Sequence, residues 1–279
     1  MVETIESAEF LEEVVPAKSG GTLFVRSSRG SVDVRSHDLE EVRVEAEARG
    51  RNADRVIFTL EHAGDDVRFE VHTEGWLTGL FGGIDVRSRI WVPRQYSLVL
   101  RSSGGDARVD GITGNVDLQT SGGDTTVSRI TGRAGIHTSG GNLELEHLDG
   151  CVRARSSGGN TRMRDVFGDA DVRTSGGNLE IDGIDGCVEA RLSGGNTAVV
   201  FLGDPRGEIR SSGGSVDVRL HEDANFDLDA KSNGGKVQVD VELDREWQND
   251  KHRVYGRRGA RGARLKIRSN GGDIQVGPV

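Results

Sequence analysis

The chain of 279 residues contains 41 Gly, 4 Pro and 36 basic against 45 acidic residues, which gives a formal net charge of −9. Gly makes up about one residue in seven, roughly twice its average usage. A Gly-rich chain with a hydrophobic fraction of only 34% can be disordered, but disordered chains are usually rich in Pro and lack regular apolar spacing. The acidic balance also argues against general nucleic-acid binding, because proteins of that class carry a basic surface.

No segment of the sequence has the features of a membrane span or a secretory signal. A transmembrane helix needs about 18 or more apolar residues in a row, and no such run occurs. The first residues carry neither a basic region nor an apolar core. As the sequence stands we expect a cytoplasmic protein, whereas a trimmed N-terminus would fit the cell envelope.

Residues 1–100 predict an irregular β cap that is continuous with the repeats after it. Apolar and polar residues alternate over 42–46, 56–60 and 67–71, and this period of two indicates strands with one buried face. The last two strands are joined across residues 62–66, which predicts a hairpin. A stack of strands needs such a cap, because its terminal strand would otherwise expose an unpaired edge.

Residues 76–83 bring four large apolar side chains together in a segment that also contains Gly. Contiguous apolar residues at a surface often mark a site of contact with a protein or a membrane. The alternative is that the segment folds back over the cap. The candidate partner-binding residues here are Trp76, Leu77, Leu80 and Phe81.

Residues 101–241 contain an 18-residue repeat. Each repeat holds a Gly pair and one further Gly, which separate two short runs of alternating apolar and polar residues. The runs predict strands, and the glycines predict turns that need positive φ or close backbone approach. Two strands per repeat fit either a hairpin meander or one coil of a two-sided β-solenoid. The Gly pairs start at residues 104, 122, 140, 158, 176 and 194.

Side-chain volumes favour the solenoid over the meander. Where one strand of a repeat carries Leu143 the other carries Ala154, and where one carries Thr161 the other carries Val172. Such compensation is expected when two positions face each other across a thin core of constant density. We therefore predict an all-β fold, a two-sided parallel β-solenoid with 18-residue coils and two strands per coil. Equivalent residues of successive coils would lie about 4.8 Å apart.

Equivalent outward residues should form columns along this solenoid. Arg162 is expected to lie between Glu144 and Glu180 in a charge ladder. The residue after each Gly pair is expected to form a ladder of side-chain amides, at Asn142, Asn160, Asn178 and Asn196.

A further outward column is a candidate anion-binding site. Stacked like charges repel unless they are compensated, so such a column can attract an anion or an acidic polymer. Local pairing with Asp171 and Glu189, two residues away on the same face, is the alternative. The column consists of Arg155, Arg173 and Arg191.

Residues 242–263 interrupt the repeat as a basic insertion, and residues 264–279 form a C-terminal coil. The basic run is the strongest local charge anomaly in this acidic chain, which indicates a site for an acidic partner; a solvated loop is the alternative. We also expect the insertion to cover an outward strip in which Ala198 and Val200 stand where other coils carry charges. The candidate partner-binding residues of the insertion are Arg253, Arg257, Arg258 and Arg261.

The sequence shows none of the motifs that mark common catalytic or nucleotide-binding sites. Its seven histidines are scattered. Cys151 and Cys187 occupy equivalent positions two coils apart, about 9.6 Å by strand spacing, which exceeds the reach of a disulfide. We therefore expect no catalytic residue, no cofactor and no metal, and predict that the protein is not an enzyme.

The string of Ser-Gly-Gly-Asp/Asn units resembles a known bacterial family. The units follow an Ile-Trp-Val-Pro strand at residues 90–93 and end in the stretch 265–276. Together they are similar to the toast-rack, or "putative adhesin", family of domains of unknown function, over roughly residues 20–277. The resemblance implies a bacterial β-solenoid of the kind found in envelope-associated and envelope-stress proteins, with no catalytic residues to carry over.

These observations predict a non-enzymatic β-solenoid that serves as a scaffold or protein-interaction module. The expected partner is a protein or an acidic polymer and not a specific nucleic acid, and a homo-oligomer is compatible with the sequence. The alternative is a polysaccharide-binding or carbohydrate-active β-helix protein. That alternative needs aromatic residues along a groove, and residues 101–225 contain Phe167 and Phe201 but no Trp or Tyr.

Overall fold

The computed structural model describes residues 3–73, 83–260 and 262–279. These residues form β-strands joined by turns, together with a 3₁₀ turn at Ala53–Arg55, so the all-β prediction is confirmed. Within these ranges, no helix has the length and apolar character needed to cross a membrane. The chain divides into two compact units, Met1–Gly141 and Asn142–Val279.

The strands of the first unit are arranged in two sheets, whose parts in this unit are called sheet A and sheet B. Sheet A has the strand order β1-β6-β7-β3-β9-β11-β13, and sheet B has the order β2-β5-β8-β4-β10-β12. The strands are β1 (Glu3–Ala8), β2 (Phe10–Pro16), β3 (Thr22–Ser27), β4 (Ser31–His37), β5 (Glu41–Gly50), β6 (Val56–Ala63), β7 (Asp66–Thr73), β8 (Ile84–Pro93), β9 (Ser97–Ser102), β10 (Ala107–Asp110), β11 (Val116–Thr120), β12 (Thr125–Thr131) and β13 (Ala134–Thr138). The predicted hairpin is confirmed, because β6 and β7 pair antiparallel.

The strands of the second unit are likewise arranged in two sheets, whose parts in this unit are called sheet C and sheet D. Sheet C has the order β15-β17-β19-β21-β27-β23-β26-β25, and sheet D has the order β14-β16-β18-β20-β22-β28-β24. The strands are β14 (Leu143–Asp149), β15 (Val152–Ser156), β16 (Thr161–Phe167), β17 (Ala170–Thr174), β18 (Leu179–Asp185), β19 (Cys187–Leu192), β20 (Thr197–Phe201), β21 (Arg206–Ser211), β22 (Val216–Leu220), β23 (Phe226–Ser232), β24 (Val237–Val239), β25 (Arg245–Asp250), β26 (Arg253–Arg258), β27 (Ala263–Ser269) and β28 (Ile274–Pro278).

Successive strands of the repeat alternate between the two sheets of their unit, which confirms the two-sided solenoid. In sheet D, Leu143 pairs with Thr161, Thr161 with Leu179, and Leu179 with Thr197, each one repeat further along the chain and each in a parallel ladder. Leu143, Thr161 and their coil partners Ala154 and Val172 are all buried, as the volume compensation requires. The structure therefore has the predicted coil, which is one repeat long and contributes one strand to each sheet, where it pairs in parallel with the strands of the neighbouring coils.

One backbone feature of the coil has no counterpart in the predicted pattern. Arg129, His147 and Asp165 all have positive φ, between +51° and +53°, and occupy the same position of successive coils. This left-handed residue bends the strand, so that in β14 both Leu145 and Leu148 are buried although they are three residues apart. Gly183 occupies the same position in the next coil, with φ of +90°.

Buried hydroxyl groups close the opposite corner of the coil. The Oγ1 atom of Thr138 donates to the carbonyl oxygen of Gly140 at 2.5 Å, and Thr120 does the same to Gly122 at 2.7 Å. Thr174 donates to the carbonyl of Gly176 in the second unit. These bonds satisfy carbonyls of the Gly turns, where the backbone leaves the sheet.

The outward ladders follow the predicted columns with one difference in chemistry. Arg162 is in register with both Glu144 and Glu180 and bonds Glu180 at 2.7 Å, while Arg164 reaches Glu144 and Glu146 at 3.2 and 2.5 Å. The asparagines do not stack amide on amide. Each side-chain Oδ1 instead accepts the backbone N–H of the residue that follows the next Gly pair, at 2.8–3.0 Å, from Asn142 through Asn196.

Within the insertion at residues 242–263, residues 245–258 fold as a hairpin at the end of sheet C. Strand β26 pairs antiparallel with β23, and β25 pairs with β26. The expectation that the insertion covers the strip at Ala198 and Val200 is therefore wrong, because that strip lies on β20 in sheet D and Ala198 is exposed. The hairpin extends sheet C because its backbone groups find partners along the free edge of β23.

A carboxylate of β23 connects this hairpin to the solenoid. Asp229 is 3% exposed and forms ion pairs with Arg253 at 3.4 Å, Arg264 at 2.8 Å and Arg268 at 2.6 Å. Burial pushes the pKa of Asp229 upward, but hydrogen bonding and attraction to these arginines outweigh it, so the pKa lies below its ordinary value.

We predict that Gly177→Ala destabilises the second unit by about 3 kcal/mol, because its φ of +73° is unfavourable for Ala and its added Cβ would overlap the carbonyl oxygen of Gly159. Gly183→Ala is the matched control. It has the same left-handed strain, but its nearest contact is an ordinary 3.5 Å, to Leu202, so we expect a loss of about 1 kcal/mol. Urea unfolding measures both, and equal losses would mean that close coil stacking does not matter.

Thr161→Val should stabilise the protein by about 1 kcal/mol, because the buried Thr161 hydroxyl finds no hydrogen-bond partner among the described residues. Thr174→Val is the control of identical chemistry. It removes the bond to Gly176 and should cost about 1–2 kcal/mol. Thermal unfolding of the two variants should therefore shift in opposite directions, and a shift of both in the same direction would contradict the assignment.

Asp229→Asn should destabilise the protein at pH 7 by about 2 kcal/mol, since three arginines lose their charged acceptor. A carboxylate whose pKa is lowered by folding stabilises the native state above its unfolded pKa and loses that effect as the pH falls through its folded pKa. The difference in melting temperature between wild type and variant should consequently be smaller near pH 3 than at pH 7. The exposed Asp182→Asn serves as the control and should differ little from wild type at either pH.

Candidate binding surfaces

The predicted arginine column is present on the outer face of sheet C, and it is longer than the sequence analysis proposed. Arg155 pairs in register with Arg173, and Arg173 with Arg191. The same register continues through further basic residues of β21, β27 and β23. These additional members are Arg210, Arg268 and Lys231. Six cations therefore stand on six neighbouring strands, over about 24 Å at the usual strand spacing.

The extension was missed because the period breaks after residue 200. The broken spacing and the insertion hide the equivalence of Arg210, Lys231 and Arg268 with the regular coils. A local signal was nevertheless available, since each cation of the column stands three residues before the first Gly of a Gly pair.

Most members of this basic column have a carboxylate neighbour, as the alternative interpretation predicted. Arg173 contacts Asp171 at 3.4 Å and Arg191 contacts Glu189 at 3.5 Å, with both guanidinium groups about half exposed. Arg155 differs, because the residue two positions before it is Arg153. No ion pair of Arg155 is formed within the described part of the chain.

The two faces of the second unit carry opposite charge. The parallel strands of sheet C from β15 to β23 carry ten cations against five carboxylates. In sheet D, strands β14 to β22 carry eight carboxylates against three arginines. The outer face of sheet C is thus a basic surface in an acidic protein, and it will attract anions in preference to the other face.

The basic run of the insertion is used largely inside the protein. Arg253 contacts Asp229, and Arg257 holds Asp227 with two nitrogens. Arg258 donates to the backbone carbonyl of Glu222. These contacts anchor the hairpin to β23, so the three arginines have a structural role beside any role in partner binding. Arg261 lies outside the described residues, as do Trp76, Leu77, Leu80 and Phe81.

An aromatic surface on the hairpin was not singled out as a site from the sequence. Trp247 is 50% exposed and packs against Tyr255 with tilted rings and 4.7 Å between the ring centroids. The guanidinium of Arg257 lies 5.5 Å from the centre of the Trp247 ring. The hairpin register brings these residues together, and that register was not readable from local pattern.

Cys151 is exposed, Cys187 is half-buried, and both are free thiols. Burial raises the pKa of the Cys187 thiol, and nearby Asp169 and Glu189 act in the same direction. A raised pKa leaves little thiolate, so Cys187 has low reactivity. Over the described ranges no group of three or more His, Cys, Asp or Glu residues could hold a metal ion.

The chain is similar to solved structures, two of which are described here. A "putative cell adhesion protein" from Clostridium sporogenes is 9% identical, with 97% of this chain and 100% of that chain covered and a TM-score of 0.25. A "putative adhesin" from Bacteroides fragilis is also 9% identical, with 97% and 98% covered and a TM-score of 0.47. No curated protein matches the chain.

A family profile matches nearly the whole chain. The profile is that of Toastrack DUF4097, and the match spans residues 21–277. This range agrees with the extent over which the repeat units, the Ile-Trp-Val-Pro strand and the C-terminal coil resembled the toast-rack family. The chain belongs to the Toastrack DUF4097 family.

Proposed function

We propose that the protein is a non-enzymatic β-solenoid scaffold that binds an acidic partner through the outer face of sheet C. The observation that supports this function is the column of six cations held in register on neighbouring strands of an acidic chain. Parallel pairing holds like charges side by side, which is unfavourable unless an anion compensates them.

The existing ion pairs leave the first three members of the column, Arg155, Arg173 and Arg191, open to a partner. The contacts of Arg173 and Arg191 with their carboxylate neighbours are long and solvent-exposed. Exposed pairs of this kind contribute at most about 1 kcal/mol each, so a partner can replace them at little cost. Arg155 has no such pair among the described residues and would meet an anion directly.

The regular spacing of the column favours an extended acidic polymer as the partner. Each strand offers one cation at a regular spacing of about 4.8 Å, so a linear chain of negative groups can engage several cations at once. Each further contact then forms within the same complex, which raises the overall affinity without any deep pocket. An acidic protein segment is the competing partner.

A second candidate function is polysaccharide binding through the hairpin. The observation that favours it is the half-exposed Trp247, which packs against Tyr255 and has Arg257 above its ring. An exposed aromatic ring offers an apolar face and a polar N–H or O–H group. It can therefore pack against a ligand that has both apolar faces and hydroxyl groups.

The test is salt-dependent retention on an immobilised sulfated polysaccharide and on immobilised polyglutamate. The triple variant Arg155→Gln, Arg173→Gln, Arg191→Gln should bind about tenfold more weakly and elute at lower salt, since counterion release falls with each lost contact. The control variant removes an equal charge from sheet D, by Arg162→Gln, Arg164→Gln and Arg219→Gln, and should elute like wild type.

Several results would overturn this function. Equal weakening in the two triple variants would mean that net charge alone controls retention, and unchanged retention in both would exclude the basic face. Retention on polyglutamate alone would identify a protein segment as partner. Retention on a neutral polysaccharide that Trp247→Ala abolishes would replace the proposal with the second candidate function.

A further inference from the structure

The outer face of sheet A, in the first unit, contains a polar cleft of about 560 Å³. Its floor is one row of in-register side chains from four neighbouring strands, β7, β3, β9 and β11. In strand order this row is Glu70, Arg26, Arg101 and Gln119. A second row, where these strands end, lines the same cleft with His72, Ser28, Ser103 and Ser121.

Two arginines stand side by side in this floor. Arg26 and Arg101 are directly paired residues of β3 and β9, so their Cα atoms lie about one strand spacing apart. Arg101 donates to Gln119 and lies 3.8 Å from Asp117. Arg26 forms no ion pair within the described residues, although Glu70 is its in-register neighbour on the other side. Adjacent like charges with so little compensation favour a bound anion.

The cleft is lined by two cations and one carboxylate, and most of its polar groups can donate hydrogen bonds. Both guanidinium groups, the exposed hydroxyls of Ser28, Ser103 and Ser121, and the Gln119 amide can donate hydrogen bonds. Glu70 is the carboxylate among the lining residues. A ligand with several acceptor oxygens and a negative charge satisfies this arrangement, whereas a cation or an apolar ligand does not.

The two neighbouring arginines indicate which class of anion the cleft would bind. A phosphate monoester carries about −1.5 to −2 charge near neutral pH and presents three acceptor oxygens. Arginine recognises phosphate through two parallel N–H donors, and two neighbouring arginines can share its oxygens. The volume exceeds what a phosphate group alone would fill, and Glu70 at one end can accept hydrogen bonds from hydroxyl groups of the remaining molecule.

We propose that this cleft binds the phosphate monoester of a sugar-sized, hydroxyl-bearing molecule, with Arg26 and Arg101 on the phosphate and Glu70 on the hydroxyl groups. The site lies in the first unit and uses none of the residues of the basic column in sheet C. It is therefore independent of the proposed scaffold function, and either can fail without the other.

Calorimetric titration of the whole chain with a hexose 6-phosphate tests the proposal. Wild type should bind it, and both Arg26→Gln and Arg101→Gln should weaken binding at least tenfold. Arg108→Gln removes an exposed arginine from β10 of sheet B in the same unit and should leave the affinity unchanged. Melting of Arg26→Gln should match that of wild type, because Arg26 loses no ion pair, so that weaker binding cannot be attributed to unfolding.

Titrations with related compounds test which features of the ligand the cleft recognises. The unmodified hexose should not bind, and inorganic phosphate should bind more weakly than the ester. Absence of heat with the hexose phosphate, or equal weakening by Arg108→Gln, would overturn the proposal. Inorganic sulfate binding as tightly as the ester would also overturn it, because the site would then not require a dianionic monoester.

Discussion

The structure depends on one constraint, the residue-for-residue pairing of parallel strands from successive coils. Each strand of the regular array hydrogen-bonds to its equivalents in the coils before and after it, so a side chain meets the same position of the next coil about 4.8 Å away. Any property of one position is thereby repeated as a column. Left-handed backbone, buried hydroxyls, asparagine ladders and charges all occur as columns for this reason.

Parallel pairing of equivalent positions can place like charges next to one another, where they repel. The second unit reduces this repulsion in two ways. In sheet D the sign alternates along the column, from Glu144 through Arg162 to Glu180, so charges are neutralised between coils. In sheet C the cations stay together and the carboxylates form a parallel column beside them. In the first arrangement the charges of neighbouring coils neutralise one another. In the second arrangement the cations remain able to attract an acidic partner.

The sequence was most informative where the structure follows its period. The coil length, the parallel stacking and the ladder around Arg162 could be predicted, because each depends on spacing and residue size alone. The bend at Arg129, His147 and Asp165 could not be predicted, because three unrelated side chains share one backbone conformation. The position of the hairpin could not either, since pairing of β26 with β23 is decided by a free sheet edge and not by a local pattern. The cleft joins Arg26 to Arg101, and their adjacency emerges only once β3 and β9 are neighbours.

The alternation of large and small core residues along sheet D constrains how such a chain can change in length. Leu143, Thr161, Leu179 and Thr197 succeed one another in register, so the interior repeats after two coils and not after one. Losing one coil would place two leucines or two threonines on adjacent rungs and disturb the packing of the interior, while losing or gaining a pair of coils would preserve every neighbour. Relatives of different length should therefore differ by whole pairs of coils, and a designer who lengthens the array should copy two coils as the module.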